Sequence, residues 1–196
     1  MFGAPGSGKG TQGQVLGAIP RFFHLACGDV FRGLNTRTPL GQEFLKYSSK
    51  GELVPDSLTV QLWQEHIQNN VDGGNFKPDI DLLVLDGIPR NVEQAGLMTE
   101  HIEVIKLYHL SCPNREELAH RIRKRALKDN RLDDASEEVI ARRFETYAEE
   151  TKPVLEYYSS VVTDIDASLS PADVLHDILT DIIAMPQWKT FASLKT

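Results

Sequence analysis

Apolar positions along this chain gather into short, unbroken runs separated by stretches of helical spacing. Phe22-Phe23-His24-Leu25-Ala26, Leu82-Leu83-Val84-Leu85, residues 104–110 and residues 161–165 all have strand length. Continuous runs of this kind suit strands covered on both faces. Between them the period becomes helical. Val15, Leu16 and Ile19 carry one helix as far as Pro20. Thr38-Pro39 has the form of a cap followed by a first-turn proline, and predicts a helix through Phe44 and Leu45 that stops at Gly51. A longer helix, from about Pro55, sets Leu58, Leu62 and Ile67 on one side and ends near Asn69-Asn70. Asn114-Arg115-Glu116-Glu117 has the form of a capping box, and the helix after it holds Leu118 and Ile122 inward. Residues 126–135 are polar and short, and predict a loop. The following helix carries Val139, Ile140, Phe144 and Tyr147, limited by Pro153. Ser170-Pro171 opens the last, with Val174, Leu175, Ile178, Leu179, Ile182 and Ile183 on one face; beyond Pro186 a loosely attached tail is expected. Strands alternating with helices predict an α/β fold, a parallel sheet with helices on both faces. In such sheets ligands bind beyond the carboxyl ends of the strands.

One stretch departs from this alternation. Gly3-Ala4-Pro5-Gly6-Ser7-Gly8-Lys9-Gly10-Thr11-Gln12 combines closely spaced glycines with a lysine and hydroxyl residues. Its backbone N–H groups can turn toward one anion, because no side chain stands where the chain curls. The helix expected from Lys9 aims its positive end at the same spot, and the lysine adds a full charge. This is close to the phosphate-binding loop pattern, with Gly10 after the lysine and the hydroxyl one place later, at Thr11. Such loops follow a buried strand, yet only Met1 and Phe2 precede Gly3. The first strand is therefore expected to be truncated, and the natural chain to carry several apolar residues before Met1. Cys27-Gly28-Asp29-Val30-Phe31-Arg32 and Asp86-Gly87-Ile88-Pro89-Arg90 also follow strand ends, so all three should converge on one cleft.

Composition narrows the partners. At 196 residues, 41% hydrophobic and 25% charged, the chain can bury a substantial core. A net charge of −7 argues against general nucleic-acid binding. Cys27 and Cys112 are too few for a disulfide framework and fit a reducing cytoplasm, and the scattered histidines form no metal motif. No segment approaches the roughly 18 apolar residues of a membrane span. A cytoplasmic monomer is expected, with neither nucleic acid nor membrane as partner.

Four blocks together, residues 3–12, 28–32, 86–90 and Arg131-Leu132-Asp133-Asp134, resemble the signature blocks of adenylate kinases in order and spacing. The resemblance covers nearly the whole chain up to about Ile183. It implies a core of residues 1–27, 71–124 and 136–184, a helical lobe for the monophosphate at 28–70, a short lid at 125–135 and a tail at 185–196. It implies ATP and AMP as substrates and magnesium as cofactor. No structural zinc is expected, since the lid looks like the short form. On the ATP side it assigns Gly6, Ser7, Gly8, Lys9, Gly10, Thr11, Arg121, Arg125 and Leu169, with Arg121 against the base. On the AMP side it assigns Cys27, Arg32, Glu52, Leu53, Val54, Gly87, Arg90, Gln94, Arg131 and Arg143. Lys9, Arg90, Arg125, Arg131 and Arg143 would act in catalysis, and Asp133 and Asp134 would orient lid arginines. Asp86, through water, and Thr11 would serve the metal.

Chemistry supports these assignments. Phosphoryl transfer asks for alignment and charge neutralisation, and arginine's planar fork pairs two phosphate oxygens while staying charged. At about 100° per residue Arg143 falls within the arc of Val139, Ile140 and Tyr147, whereas Arg142 points away. Gln94 stands where adenylate kinases read the adenine edge, and its amide can donate and accept together. Cys27 departs from the family's usual threonine, so selection of AMP over CMP or UMP stays open. A UMP/CMP kinase on the same scaffold is one alternative, and a nucleotide-binding protein with little catalysis is another.

Overall fold

The sheet is built in two halves that meet at the start of the chain. Strand β1 (Phe22–Ala26) pairs in parallel with β2 (Leu82–Asp86), in register from Phe22↔Leu82 to Ala26↔Asp86. Strand β3 (Leu107–Ser111) pairs in parallel with β4 (Val162–Asp166). Residues 1 and 2 lie between the halves. The Met1 nitrogen donates to the Leu85 carbonyl at 2.7 Å, and the Phe2 N–H to the Tyr108 carbonyl at 2.7 Å. The Phe2 carbonyl in turn accepts from the Leu110 N–H at 2.8 Å. The strand expected ahead of the loop is thus represented here by two residues at the centre of the sheet.

The computed structural model describes residues 1–35, 37–50, 52–129 and 136–193. Ten helices occur among them. The first five are α1 (Lys9–Gly17), α2 (Cys27–Arg32), α3 (Pro39–Ser48), α4 (Asp56–Asp72) and α5 (Val92–Met98). After β3 come α6 (Arg115–Asp129), α7 (Glu137–Thr146), α8 (Pro153–Tyr157), α9 (Pro171–Ala184) and α10 (Pro186–Ser193). The caps fall where the sequence puts them. Thr38 Oγ1 accepts from the Gly41 N–H at 3.2 Å, Asn114 Oδ1 from Glu117 at 3.1 Å, and Ser170 Oγ from Asp173 at 3.3 Å. Each satisfies a backbone donor that the helix itself leaves free.

Helices cover both faces of the sheet, as the alternation predicts. On one face α1 and α9 bury Leu16, Val174, Ile178 and Ile182 against Phe22, Tyr108, Leu110 and Ile165. On the other, Ala95 of α5 and Val154 and Tyr158 of the α8 region pack on Phe2 and Leu107. Helices α2 to α4 form a lobe without strands, joined to β1 and α5 through Leu25, Phe31, Val54, Trp63, Ile88 and Met98. Every residue of β2 is half-buried rather than fully covered.

Five details depart from expectation, each for a local reason. Strand β3 begins at Leu107 instead of 104, because its partner β4 offers no strand residue before Val162. Residues 126–129 continue α6 rather than forming a loop; Ala126, Leu127 and Lys128 are good helix formers, with Leu127 standing 88% exposed. Their polarity signals solvent, not irregular backbone. Pro153 opens α8 after a π-helical turn at Tyr147–Thr151, where a first-position proline forgoes no hydrogen bond. Ile183 is 57% exposed, outside the stripe set by Val174, Ile178 and Ile182. The segment after Pro186 is not a loose tail but α10, whose Trp188 ring stacks on Phe22 with centroids 4.9 Å apart. The helix stop expected at Gly51 lies outside the described residues.

Helix α1 approaches β1 closely across His24. A Cβ on Gly13 would stand 2.2 Å from His24 Nε2, and one on Gly17 would stand 2.6 Å from His24 Cβ. The two contacts differ in what can yield. Gly13→Ala and Gly17→Ala should each lower stability by about 1–3 kcal/mol, the scale of core overpacking, despite alanine's better helix propensity. His24→Ala should rescue Gly13→Ala, since the ring is the obstacle there. It should not rescue Gly17→Ala, where the obstacle is the strand's own Cβ. Thermal melting of the two pairs checks this, and equal rescue would refute the packing described.

Candidate active site

The phosphate-binding loop takes the shape its glycines permit. Gly6 has φ +84°, and a Cβ there would lie 2.5 Å from the Leu118 carbonyl oxygen. Gly8 caps α1 with φ +96°, and a Cβ there would meet nothing within 4 Å. The backbone at Gly8 therefore faces open space, where a ligand can approach it directly. Gln12, buried in α1, donates from Nε2 to the Pro171 carbonyl at 2.8 Å, which ties α1 to the start of α9.

Lys9 is the first residue of α1, and its Nζ donates to the Gly3 and Ala4 carbonyls at 2.7 and 3.1 Å. Its pKa falls to about 8. Burial is the main cause; Asp86 opposes it, and Arg90, Arg125 and Arg143 push the same way as burial. That list locates the site electrically. Arginines from the turn after β2, from α6 and from α7 act on one lysine, so the cations share one field.

A single cavity of about 990 Å³ gathers these groups. The loop contributes Gly6, Ser7, Gly8, Lys9, Gly10 and Thr11 to its wall. The end of β2 and the turn after it contribute Asp86, Gly87 and Arg90, with Gln94 from α5. From the helical lobe come Cys27, Glu52, Leu53 and Val54. Arg121 and Arg125 of α6, Arg143 of α7 and Leu169 after β4 line it as well. Arg131, Asp133 and Asp134 lie outside the described residues, and Arg32 is described only as backbone at the end of α2.

Several of these side chains are held before any ligand arrives. Arg90 Nε donates to the Gly87 carbonyl at 2.9 Å. Arg121 Nη1 donates to the Ala167 carbonyl at 2.9 Å, and its Nη2 pairs with Glu117. Arg142, next to Arg143, turns outward as the helical angle requires; it is half-exposed and lies 3.5 Å from Glu145. Tyr147, also on the cavity wall, meets His109 Nε2 at 3.0 Å, while His109 Nδ1 meets Asp164 at 2.6 Å. Burial, and then the Asp164 charge, push the Tyr147 hydroxyl up to about 12, so it stays protonated.

Lys124 and Lys128 also face the cavity, and the sequence reading missed both. Their signal was available: they stand three and seven residues after Arg121, on the face that Arg125 shares. Two further residues escaped because only their helix-end roles are legible locally. Asn91 caps α5, accepting from the Gln94 N–H at 2.8 Å. Its Nδ2 donates to both carboxylate oxygens of Asp56, at 2.9 and 3.0 Å. In sequence Asp56 reads only as an acid favouring a helix N-terminus.

Asp86 and Thr11 offer oxygen donors beside the loop; a Cβ on Gly10 would stand 3.4 Å from Asp86 Oδ2. Among the described residues there is no group of three or more His, Cys, Asp or Glu side chains able to hold a metal ion. This donor set suits a hard cation that keeps waters and phosphate oxygens as its other ligands, as magnesium does. No helix among the described residues is long and apolar enough to cross a membrane.

Known proteins resemble this chain along most of its length. The family model described as adenylate kinase matches residues 1–163. An adenylate kinase of Cyanothece is 36% identical over 187 residues, covering 91% of each chain. Those of Flavobacterium psychrophilum and Mycolicibacterium vanbaalenii are 33% and 36% identical, covering 82% and 85% of this chain and 83% and 88% of their own. With the phosphate-binding loop, the parallel sheet and the clustered arginines in one cleft, the chain belongs to the adenylate kinase family of nucleoside monophosphate kinases.

Proposed function

We infer that this enzyme transfers a phosphoryl group reversibly from ATP to AMP, giving two ADP. One observation carries the reading: Lys9, Arg90, Arg125 and Arg143 line the walls of a single cavity beyond the strand ends, and the three arginines bear on the lysine. Like charges so gathered call for a polyanion between them. In the transfer an AMP phosphate oxygen forms a bond to the γ-phosphorus while the bond to the β–γ bridging oxygen breaks, and ADP leaves. Little covalent help is needed; alignment and charge neutralisation carry the rate.

The roles follow from chemistry and position. Loop amides and Lys9 hold the ATP phosphates, with Arg121 and Leu169 beside the base. Arg90 holds the AMP phosphate. Arg125 and Arg143 bridge toward the transferred group, and Arg32 and Arg131 join them as the resemblance implies. Asp86, through water, and Thr11 hold magnesium, which neutralises charge on the transferring phosphates when bound. Gln94 reads the adenine edge, while Cys27, Glu52, Leu53 and Val54 close that pocket. Residues 28–70 and 125–135 serve as monophosphate lobe and short lid around the core.

Cys27 supports a second reading. It is buried at 3% exposure on the cavity wall, and it offers only a weak donor where a hydroxyl would contact a base. Looser selection, extending to CMP or UMP, follows from that. Steady-state rates with AMP, CMP and UMP decide between the readings, and AMP should be preferred. Comparable rates with all three would favour the broader kinase, and absence of turnover with each would leave only nucleotide binding.

Adjacent arginines provide an internal control. Arg143→Ala should lower kcat by roughly 10²-fold or more, the scale of one lost charge-stabilising donor. Arg142→Ala should change it by less than about threefold, as for an exposed residue. Equal losses in two variants of matched thermal stability would contradict the assignment.

Lys9 supplies a test against pH. Its folded pKa of about 8 lies below the ordinary lysine value of 10.5. The cost of keeping it charged is therefore full below about pH 8 and disappears as pH rises toward 10.5. Relative to Lys9→Met, the unliganded protein should gain stability across that window. ATP affinity should move the opposite way, weakening above about pH 8 as the ammonium loses its proton. Calorimetric binding and melting at several pH values check both signs, and a pH-independent difference between the two proteins would refute the assignment.

A further inference from the structure

The amide of Gln94 is held at both ends before any nucleotide is present. Its Oε1 accepts from the Arg90 backbone N–H at 2.7 Å, and its Nε2 donates to Asp56 Oδ1 at 2.6 Å. The side chain is 1% exposed and lies on the wall of the cavity. Partner chemistry dictates which end is which. A backbone N–H can only donate, and an ionised carboxylate can only accept. Turning the amide over would set its oxygen against the carboxylate and its NH₂ against a donor. Two buried clashes would replace two buried hydrogen bonds.

We propose that Asp56 is a positioning residue that locks the polarity of the Gln94 amide, and so makes the enzyme choose a 6-amino purine over a 6-oxo purine as phosphoryl acceptor. This rests on the reading that Gln94 contacts the acceptor base. With one N–H and one lone pair engaged, the amide keeps one donor and one acceptor for that base. Adenine presents an acceptor at N1 beside a donor at its exocyclic amine. A 6-oxo purine presents the reverse, an N1–H donor beside a carbonyl. An amide free to turn over could satisfy either; an amide of fixed polarity satisfies one and leaves buried polar groups of the other unpaired. Discrimination thus comes from an acid that need not touch the substrate.

Asp56 suits the task for two further reasons. It begins α4, where an acid in the first turn complements the free backbone N–H groups. Both of its oxygens also accept from Asn91 Nδ2, at 2.9 and 3.0 Å, so its carboxylate plane is fixed. Asn91 in turn accepts from the Gln94 N–H, so one acid steadies both the cap of α5 and the amide one turn into it.

The test compares AMP with IMP, its 6-oxo counterpart, as acceptors. Asp56→Asn keeps the shape but can donate as well as accept. It should lower the ratio of kcat/KM for AMP over IMP by roughly tenfold or more. The KM for ATP should stay within about twofold, since the change lies on the acceptor side. Asp56→Glu, which still only accepts, should hold the ratio, and Asp56→Ser gives a second acceptor-and-donor replacement if the asparagine variant does not fold. Gln94→Leu separates the proposal from the reading beneath it. If Gln94→Leu collapses the ratio and neither Asp56→Asn nor Asp56→Ser moves it, Asp56 is structural and the proposal fails alone. If Gln94→Leu leaves the ratio unchanged, the reading of Gln94 fails and the proposal with it. In the double variant, Asp56→Asn should add nothing to Gln94→Leu; an additive loss would also overturn the proposal.

Discussion

Close packing of α1 on the sheet is the constraint on which the rest of the structure depends. The loop can present its amides to a phosphate only if its two ends are fixed, one at the sheet and one at the helix. His24 lies across the helix at Gly13 and Gly17, and larger residues there would push α1 away from β1. Gln12 adds a hydrogen bond from α1 to the start of α9, so both helices on this face move as one with the loop. A displacement of α1 by the width of a methyl group would carry Lys9 and the cap at Gly8 with it. Phosphoryl transfer is sensitive to such distances.

Around that fixed loop the charges are arranged against the trend of the chain. The protein carries a net −7, yet its cavity collects Lys9, Arg90, Arg121, Arg125 and Arg143. Burial first, and the neighbouring arginines after it, make the charged form of Lys9 costly in the empty state. Carbonyls of the protein hold two of the cations meanwhile: Lys9 on Gly3 and Ala4, and Arg90 on Gly87. These neutral acceptors give up less than carboxylates would when phosphate oxygens arrive. Arg121 is shared between the Ala167 carbonyl and the Glu117 carboxylate.

The region around Gln94 is organised differently. Gln94, Asn91 and Asp56 form a hydrogen-bonded set across two helices, with Gln94 buried and the other two half-buried. Here the polar groups find partners within the protein, and one edge remains for a ligand. One region stores electrostatic demand for a phosphate chain, while the other presets the direction of a few hydrogen bonds. In the proposed reading, affinity for phosphates and selection among bases are tuned by separate residues.

Much of this was legible from the chain. The strands at Phe22 and Leu82, the caps at Thr38, Asn114 and Ser170, and the loop at Gly3 to Gln12 are local features. Period, capping chemistry and glycine spacing are properties of neighbouring residues, so they can be read before folding. The opposite orientations of Arg142 and Arg143 follow from helical angle alone. What tertiary structure decided was every relation between distant residues. The end points of β3 depend on β4, and the fate of the segment after Pro186 depends on Phe22, far earlier in the chain. Asp56 looks like an ordinary first-turn acid until folding brings α5 beside α4, 38 residues away along the chain. The role proposed for it comes from the lone pair it offers to one amide, and no composition or period records where that amide will be.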